Sequence, residues 1–437
     1  MREMKDSGIE WIGEIPKDWN CEKMLYVLRT QICDGPHETP IYVDDGIPFI
    51  SVDSLNETKK VNLLNVKKFI TEKSYNLYMN KAHIENGDIL FSKAATIGKT
   101  AIVGNEKFMV WSPLAIIKSS PDLINNIFLY YLLNCEALID NIRLSGSFNT
   151  QANVGMREME RAKIPVPSMQ TQQIIASFLD EKCSKIDSLV NDIQTQITTL
   201  EEYKKSVITE AVTKGLDSNV EMKDSGIEGV KEIPSHWQVK RAKYICESLF
   251  KGNGITKDDI KDDGDICCIR YGEIYSKYNG AVTAPTTLTN ISLVTSPKRI
   301  KKGDLLFAGT GELIEEIGKN IVYMGNSPCL AGGDIIIMRH SQNPIFLNYT
   351  MNSVLTQIQK SKGKAKLKVV HISATDIGNL FVAMPPLEEQ QQIADYLDSK
   401  CSEIDAIIQT KKEQLDVLAE YKKSLIYEYV TGKKEVK

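Results

Sequence analysis

A chain of 437 residues with 42% hydrophobic and 25% charged residues is ordinary globular material, long enough for two or three domains. Its apolar runs, such as residues 335–338, fall far short of the roughly 18 to 20 residues a membrane-crossing helix needs, and the start MREMKDSGIE has no apolar signal region, so a cytoplasmic protein without membrane association is expected. The net charge of −4 does not exclude nucleic acid: residues 20–163 carry 16 Lys+Arg against 16 Asp+Glu, residues 238–381 carry 19 against 13, and the remainder 18 against 28, and phosphate binding needs only local positive potential.

Read in order, the chain is an internal duplication. MKDSGIEWIGEIPKDW at residues 4–19 recurs as MKDSGIEGVKEIPSHW at 222–237, an offset of 218. The first variable domain, residues 20–163, reads as mixed α/β with strands at 48–52, 88–92, 101–103 and 114–118 and a helix over 127–143. Residues 164–221 follow as a helical segment. A proline-rich entry, IPVPS, precedes Gln170; residues 172–213 contain neither Gly nor Pro; and Ile186, Ile193, Leu200 and Val207 recur every seven residues, with Leu189 and Tyr203 close to the complementary seam.

The second copy occupies residues 222–381, a linker repeat followed by a domain with strands at 266–271, 304–308, 320–324 and 334–339 and a helix over 345–360. Islands such as GDILF and GDLLF, or IFLYY and IFLNY, align inside otherwise divergent stretches, so scaffold is retained while surface differs, as expected of two domains doing one task on two targets. Residues 382–437 close the chain with a second helix in which Ile404, Leu418 and Leu425 keep the phase and Lys411 interrupts it; Gly215 and Gly432 mark the helix ends.

Each helix should span about 44 residues, roughly 65 Å. A stripe this long exceeds what one 144-residue domain can cover, so the two helices should pair antiparallel with pseudo-twofold symmetry, holding the domains apart, with the amino-terminal segment beside the end of the second helix. The fold expected is therefore α+β, mixed α/β domains on two long antiparallel coiled-coil helices, with termini close together.

The chemistry-bearing motifs are weak. Nine scattered cysteines, with Cys267-Cys268 the only close pair, read as reduced packed thiols, Cys183 and Cys401 included, and five dispersed histidines give no metal spacing. Ile97-Gly98-Lys99-Thr100 echoes the end of a phosphate loop, but Lys93 stands where its first glycine is required and the copy Ile317-Gly318-Lys319-Asn320 loses the hydroxyl. Phe307-Ala308-Gly309-Thr310-Gly311 and Asn343-Pro344-Ile345-Phe346 resemble methyltransferase motifs, yet both align with unlike residues in the first copy.

For contact with DNA the alternating lysines of SKGKAKLKVVHIS stand out: Lys360, Lys362, Lys364, Lys366 and Lys368 in an extended strand would face one side at about 6.6 Å, near the roughly 7 Å phosphate repeat. A solvated basic loop is the plainer reading. Their first-domain counterpart, RLSGSFNTQANVG, offers Arg143, Ser147, Asn149, Thr150 and Gln151 for base edges or phosphate. His37 in a Gly-Pro turn, Arg270 and Tyr271 at a strand end, and Lys93, Lys99, Lys251 and Lys319 complete the candidates, each equally readable as an internal salt bridge or turn residue.

In IPVPSMQTQQIIASFLD and MPPLEEQQQIADYLD, KDSGIEWIGEIPKDW, DGPHETPIYVDDGIPFISVDSL and IRYGEIYSKYNGAV, essentially the whole chain resembles the specificity subunits of type I restriction-modification systems. The resemblance implies two target-recognition domains reading a split site in double-stranded DNA. It also implies a non-catalytic chain that binds no cofactor itself and docks two modification subunits and restriction subunits, with S-adenosylmethionine, and ATP with Mg, on those partners. The alternatives are a fused S-adenosylmethionine-dependent DNA methyltransferase, which the isolated chain's binding of that donor would reveal, and a coiled-coil scaffold without DNA function, which two divergent domains disfavour.

Overall fold

The structure is a computed structural model describing residues 2–55, 59–64, 66–94, 96–145, 153–311, 313–364 and 370–436. The chain divides into two compact units, Met1–Ile193 with Lys412–Lys437, and Gln194–Lys411. Each unit therefore takes part of both long helices.

In the first unit, Met4–Asp6 and Glu14–Pro16 form a hairpin, and Asn20–Lys23 pairs antiparallel with Lys163–Val166. Between these lie two four-stranded sheets. One orders Met109–Val110, Ile47–Ile50, Phe69–Ile70 and Tyr42–Val43, its first two strands parallel; the other orders Cys33–Asp34, Leu114–Ile117, Ile89–Ser92 and Thr100–Ile102, antiparallel throughout. Every residue of Ile89–Ser92 and Leu114–Ile117 is buried, which is why these strands read as apolar runs without alternation.

The second unit repeats the plan. Met222–Ile227 and Val230–Pro234 form the hairpin, and Gln238–Arg241 pairs with Phe381–Met384. One sheet orders Cys246–Lys251, Ile335–His340, Leu305–Ala308, Asn320–Tyr323 and Ala281–Val282; the other orders Leu288–Thr289, Ile266–Ile269, Cys329–Ala331 and Arg299–Ile300.

The shared islands have physical causes. In GDILF and GDLLF the glycines Gly87 and Gly303 sit at φ +90° and +91°, and the next residue, Asp88 or Asp304, is buried against Lys118 at 2.6 Å or Arg339 at 2.7 Å. Each also accepts from the backbone N–H of Glu85 or Lys301, at 2.8 Å in both units, so each buried carboxylate is both charge-paired and hydrogen-bonded. The glutamines of the helix entries are explained likewise. Gln172 and Gln390, both 1% exposed, accept from the N–H of Asn125 or Asn343 and donate to the carbonyl of Pro167 or Pro385, locking the start of each long helix onto a capping asparagine.

The helix expected over 127–143 is two, Asn126–Leu133 and Glu136–Ser145, because the Asn134 side chain turns back to the Tyr130 carbonyl and Thr100 hydroxyl. The helix expected over 345–360 breaks at Ser353, which is extended and caps Val354–Ser361 after Pro344–Asn352. The strand expected over 266–271 stops at Ile269, since Arg270 caps the helix Tyr271–Ser276.

The long helices run Met169–Lys214 and Leu387–Val430. In the first unit Phe178 stacks on Tyr429 at 4.4 Å, and Asp187 meets Lys422 at 2.5 Å, so numbers rise on one helix as they fall on the other. In the second unit Gln196 meets Lys411 at 2.5 Å, and Lys204 meets Asp405 at 2.6 Å, again antiparallel. The seam is set by alternating spacings of three and four: Leu179, Cys183 and Ile186 bury with Leu425, Ile426 and Val430, while Ile197 and Val207 continue the line. Leu189 and Tyr203 lie off it and are exposed, a correction to the seam read from the seven-residue repeat.

The amino-terminal segment lies beside the end of the second helix. Lys433 donates to the Glu14 carbonyl at 2.5 Å, and Gly432, at φ +72°, approaches Pro16 and Trp19 so closely that a Cβ would sit 2.5 Å from Pro16. Among the described residues no helix is long and apolar enough to cross a membrane.

Candidate nucleic-acid interface

In the first unit two turns meet at the ends of the antiparallel sheet, with the end of the helix Glu136–Ser145 set against one of them. Asp34 ends its strand with a carboxylate 3.1 Å from the buried Lys93 ammonium and 3.2 Å from His37 Nε2, His37 itself being exposed. Lys93 therefore anchors the His37 turn rather than reaching solvent; as a direct DNA contact it is replaced by a structural ion pair. The turn after it is tied internally: Ser92 Oγ donates to the Thr96 carbonyl at 2.5 Å and accepts from Lys99 N–H at 2.8 Å, while Gly98 sits at φ +101°. Those backbone groups serve the turn, and the Lys99 side chain is exposed. Arg143, pairing with Asp140 at 3.1 Å, also donates to the Ile97 carbonyl at 3.2 Å, which sets it against the same turn. Asn149 and Gln151, with Ser147 and Thr150, lie outside the described residues; Asn153, just beyond them, bridges to Ala94.

The second unit builds the same place from different residues. Asp34 lies opposite Ala115 and Lys251 opposite Ile336, positions fixed by Phe91 and Phe307 on the next strands, so Lys251 is the equivalent of Asp34. Gly309 takes the place of Lys93: their carbonyls accept from Ile372 N–H and Val154 N–H respectively. An internal ion pair thus becomes an exposed lysine beside a glycine. Lys251, Gly309, Thr310, Asp334, His371 and Asp376 line a depression there, with Thr310 Oγ1 3.1 Å from His371 Nδ1. Asp334 also belongs to a neighbouring cleft of ≈ 770 Å³ lined by Lys257, Arg270, Tyr271 and the Gly332-Gly333 turn.

Arg270 caps its helix through Glu273, which accepts from the Arg270 N–H at 2.9 Å and is itself 7% exposed. Among the described residues the Arg270 guanidinium forms no ion pair, and its buried Nε meets no acceptor. Tyr271 is 40% exposed beside it. Lys319 lies over the Tyr275 ring at 5.9 Å, and Tyr275 donates to the Thr310 carbonyl at 2.9 Å, which links the 316–320 turn to the first depression.

The lysine run is not one strand. Lys360 ends the helix Val354–Ser361, 2% exposed, donating to the carbonyls of Gly318 at 2.7 Å and Met351 at 2.5 Å; burial pushes its ammonium down to about 7. Lys362 pairs with Glu228 at 2.6 Å and lines neither depression. Lys364 donates to the His371 carbonyl at 2.6 Å and pairs with Asp376 at 3.1 Å. Asp376 is held below its usual range: burial, the largest influence, opposes this, but the Ser373 N–H and hydroxyl and the Lys364 ammonium outweigh it. Lys366 and Lys368 lie outside the described residues. Thr310, Asp334 and His371 were missed from sequence; only pairing partners on neighbouring strands reveal them.

The motifs that resembled methyltransferase sequence have structural tasks. Asn343 caps its helix, accepting from Ile345 N–H at 3.0 Å and Phe346 N–H at 2.9 Å, and Thr310–Gly311 pairs with Val370–His371 as a strand.

The family model described as type I restriction modification DNA specificity domain matches twice, at residues 36–199 and 234–417. A putative type I restriction enzyme MjaX specificity subunit of Methanocaldococcus jannaschii is 26% identical over 98% of this chain and 96% of its own length, and the MjaVIII specificity subunit of the same organism is 23% identical over 97% and 94%. Among solved structures, a chain from work on complex assembly and conformational transition of the type I R-M system aligns over 96% of this chain and 99% of its own at TM-score 0.71 and 16% identity. The HsdS subunit from Thermoanaerobacter tengcongensis aligns over 96% and 98% at TM-score 0.50, also 16% identical.

Proposed function

This chain belongs to the type I restriction modification DNA specificity family, and from that premise we propose that it is the DNA-recognition subunit of a type I restriction-modification enzyme, acting in the cytoplasm on double-stranded DNA. The observation that carries the reading is the substitution of chemistry at one place that both units share. The same strand ends hold Asp34 and Lys93 in one unit and Lys251 and Gly309 in the other, with His37 beside the first pair and His371, at the place of Asn153, beside the second. A retained scaffold with exchanged polar groups is what a bipartite site needs, each unit offering a different donor and acceptor pattern to the major groove.

In the first unit Lys99, Arg143 and His37 are the contacts proposed, with Asn149 and Gln151 from the adjoining stretch. In the second they are Lys251, Arg270, Tyr271, Lys319, Lys362 and Lys364, with Lys366 and Lys368. Lys362 is paired at the surface, and such a pair is weak enough to exchange for phosphate. Modification subunits, one per unit, would dock on the exposed helix residues Leu189 and Tyr421 of the first unit and Tyr203 and Ile407 of the second, which stand at equivalent places in the repeat. They and restriction subunits would bring S-adenosylmethionine, ATP and Mg; this chain supplies recognition.

The test is selection of duplexes from a random pool by the chain assembled with its modification subunits. A split consensus is expected, with affinity falling as salt rises because counterions are released. Equal affinity for all duplexes would end the recognition reading.

A further inference from the structure

The second unit carries a pair of thiols that recognition does not use. Cys267 and Cys329 are direct partners on neighbouring parallel strands, Ile266–Ile269 and Cys329–Ala331, so both side chains point to one face and into one apolar cluster. Adjacent strands lie about 4.8 Å apart. That spacing falls inside the roughly 4.4 to 6.8 Å between Cα atoms that a disulfide spans. Cys268, between them in sequence, faces the opposite side with Ile255, Ile266 and Leu330.

The two thiols differ in environment. Cys267 is partly exposed and its sulfur donates to the Pro328 carbonyl at 3.3 Å, whereas Cys329 is fully buried. A hydrogen bond from Cys329 lowers the Cys267 thiol below its ordinary value, while the same contact and burial raise Cys329, which keeps the proton. Cys21, Cys33 and Cys246, also partly exposed, are all raised by burial instead. The pair is not part of the shared scaffold. Its equivalents in the first unit are Pro48 and Phe108, one residue ahead of the matched partners Phe49 and Met109.

We propose that Cys267 and Cys329 form an oxidisable dithiol, in which Cys267 is the attacking sulfur and Cys329 the resolving one, with a hydroperoxide as oxidant. The Cys267 thiolate attacks the peroxide O–O bond, which breaks to give a sulfenic acid and an alkoxide, and the alkoxide takes up the proton that Cys267 shed, leaving as an alcohol, or as water from hydrogen peroxide. The Cys329 sulfur then attacks the sulfenic sulfur, the S–O bond breaks, and the departing hydroxide leaves as water with the Cys329 proton. Two thiols are oxidised by two electrons and one peroxide is reduced. An accessible low thiol beside a resolving cysteine is the arrangement that favours a reversible disulfide over further oxidation.

The test uses the full chain treated with hydrogen peroxide, quenched with iodoacetamide and mapped by mass spectrometry without reduction. A linked peptide two hydrogens lighter than its parts should appear in the wild type and in Cys268→Ser, vanish in Cys267→Ser, and separate again with dithiothreitol. Cys267 should also be alkylated at least about tenfold faster than Cys21, Cys33 or Cys246. A link that survives in Cys267→Ser, or peroxide consumption that leaves Cys267 and Cys329 unlinked, would overturn the proposal. Cys329→Ser, whose burial invites misfolding, is not needed for either readout.

Discussion

Replacing Lys360 by methionine separates burial from charge at the turn carrying Lys319. The folded chain gives up the Lys360 proton at about 7, whereas the unfolded chain holds it to about 10.5. Between those limits the unfolded state binds more protons, so this group makes stability rise with pH, by roughly 1.4 kcal/mol per pH unit, and below about pH 7 its full cost of about 5 kcal/mol is present. Methionine removes that cost and also the bonds to Gly318 and Met351, which the neutral amine keeps and which are each worth about 1 kcal/mol. The Met351 carbonyl keeps the Thr356 hydroxyl at 2.9 Å. Lys360→Met should therefore be the more stable protein at pH 7 by about 3 kcal/mol, the advantage shrinking as pH rises. Urea unfolding of both proteins at half-unit intervals from pH 7 to pH 9.5 measures this, since every other titrating group cancels in the difference. Equal pH slopes for the two proteins would refute the reasoning.

Asp34→Ala should destabilise the first unit by about 3 kcal/mol, because Lys93 is left charged with a side chain only 10% exposed; Asp34→Ala with Lys93→Met should recover most of the loss in hydrogen exchange of the strand Ile89–Ser92. Gly432→Ala should lower stability by about 1 to 3 kcal/mol in thermal unfolding, given the positive φ and the approach of Pro16. Arg270→Ala should weaken binding of the selected duplex about tenfold and relax base preference in one half of the split site only; a uniform loss on all duplexes would make Arg270 a phosphate contact. A circular permutant joining the termini and opened near residue 218 should keep its fold and its selected sequence in the same binding assay, since Lys433 already lies on Glu14.

Periodicity and self-comparison made the architecture legible because they report the backbone. The long helices announce themselves through a proline-bounded stretch with heptad spacing, and the 218-residue offset locates the hairpins and the long helices twice. What failed was direction. The lysine alternation from Lys360 to Lys368 suits a strand, but tertiary packing captured Lys360 at a helix end, where its long stem fills apolar space and its ammonium meets two carbonyls. Leu189 and Tyr203 miss the seam because heptad positions one residue apart differ by about 100° around the helix, enough to turn a side chain outward. The equivalence of Asp34 with Lys251 depends on which residue stands opposite Ala115 or Ile336, and no sequence spacing encodes that once loops of unequal length intervene.

The shared helices also fix when the first unit can be finished. Its core needs Leu425, Ile426 and Val430 against Ile186 and Leu179, some 240 residues apart in the chain. At about 5 to 20 residues per second of synthesis, the apolar stripe that begins at Ile175 waits roughly 10 to 50 s on the ribosome for its partner. The second unit, whose helix segments both lie within residues 194–411, closes earlier although it is encoded later. A chain truncated before residue 412 and released would thus display a completed second unit and a first unit with its seam bare, the state most in need of a chaperone or a neighbouring subunit.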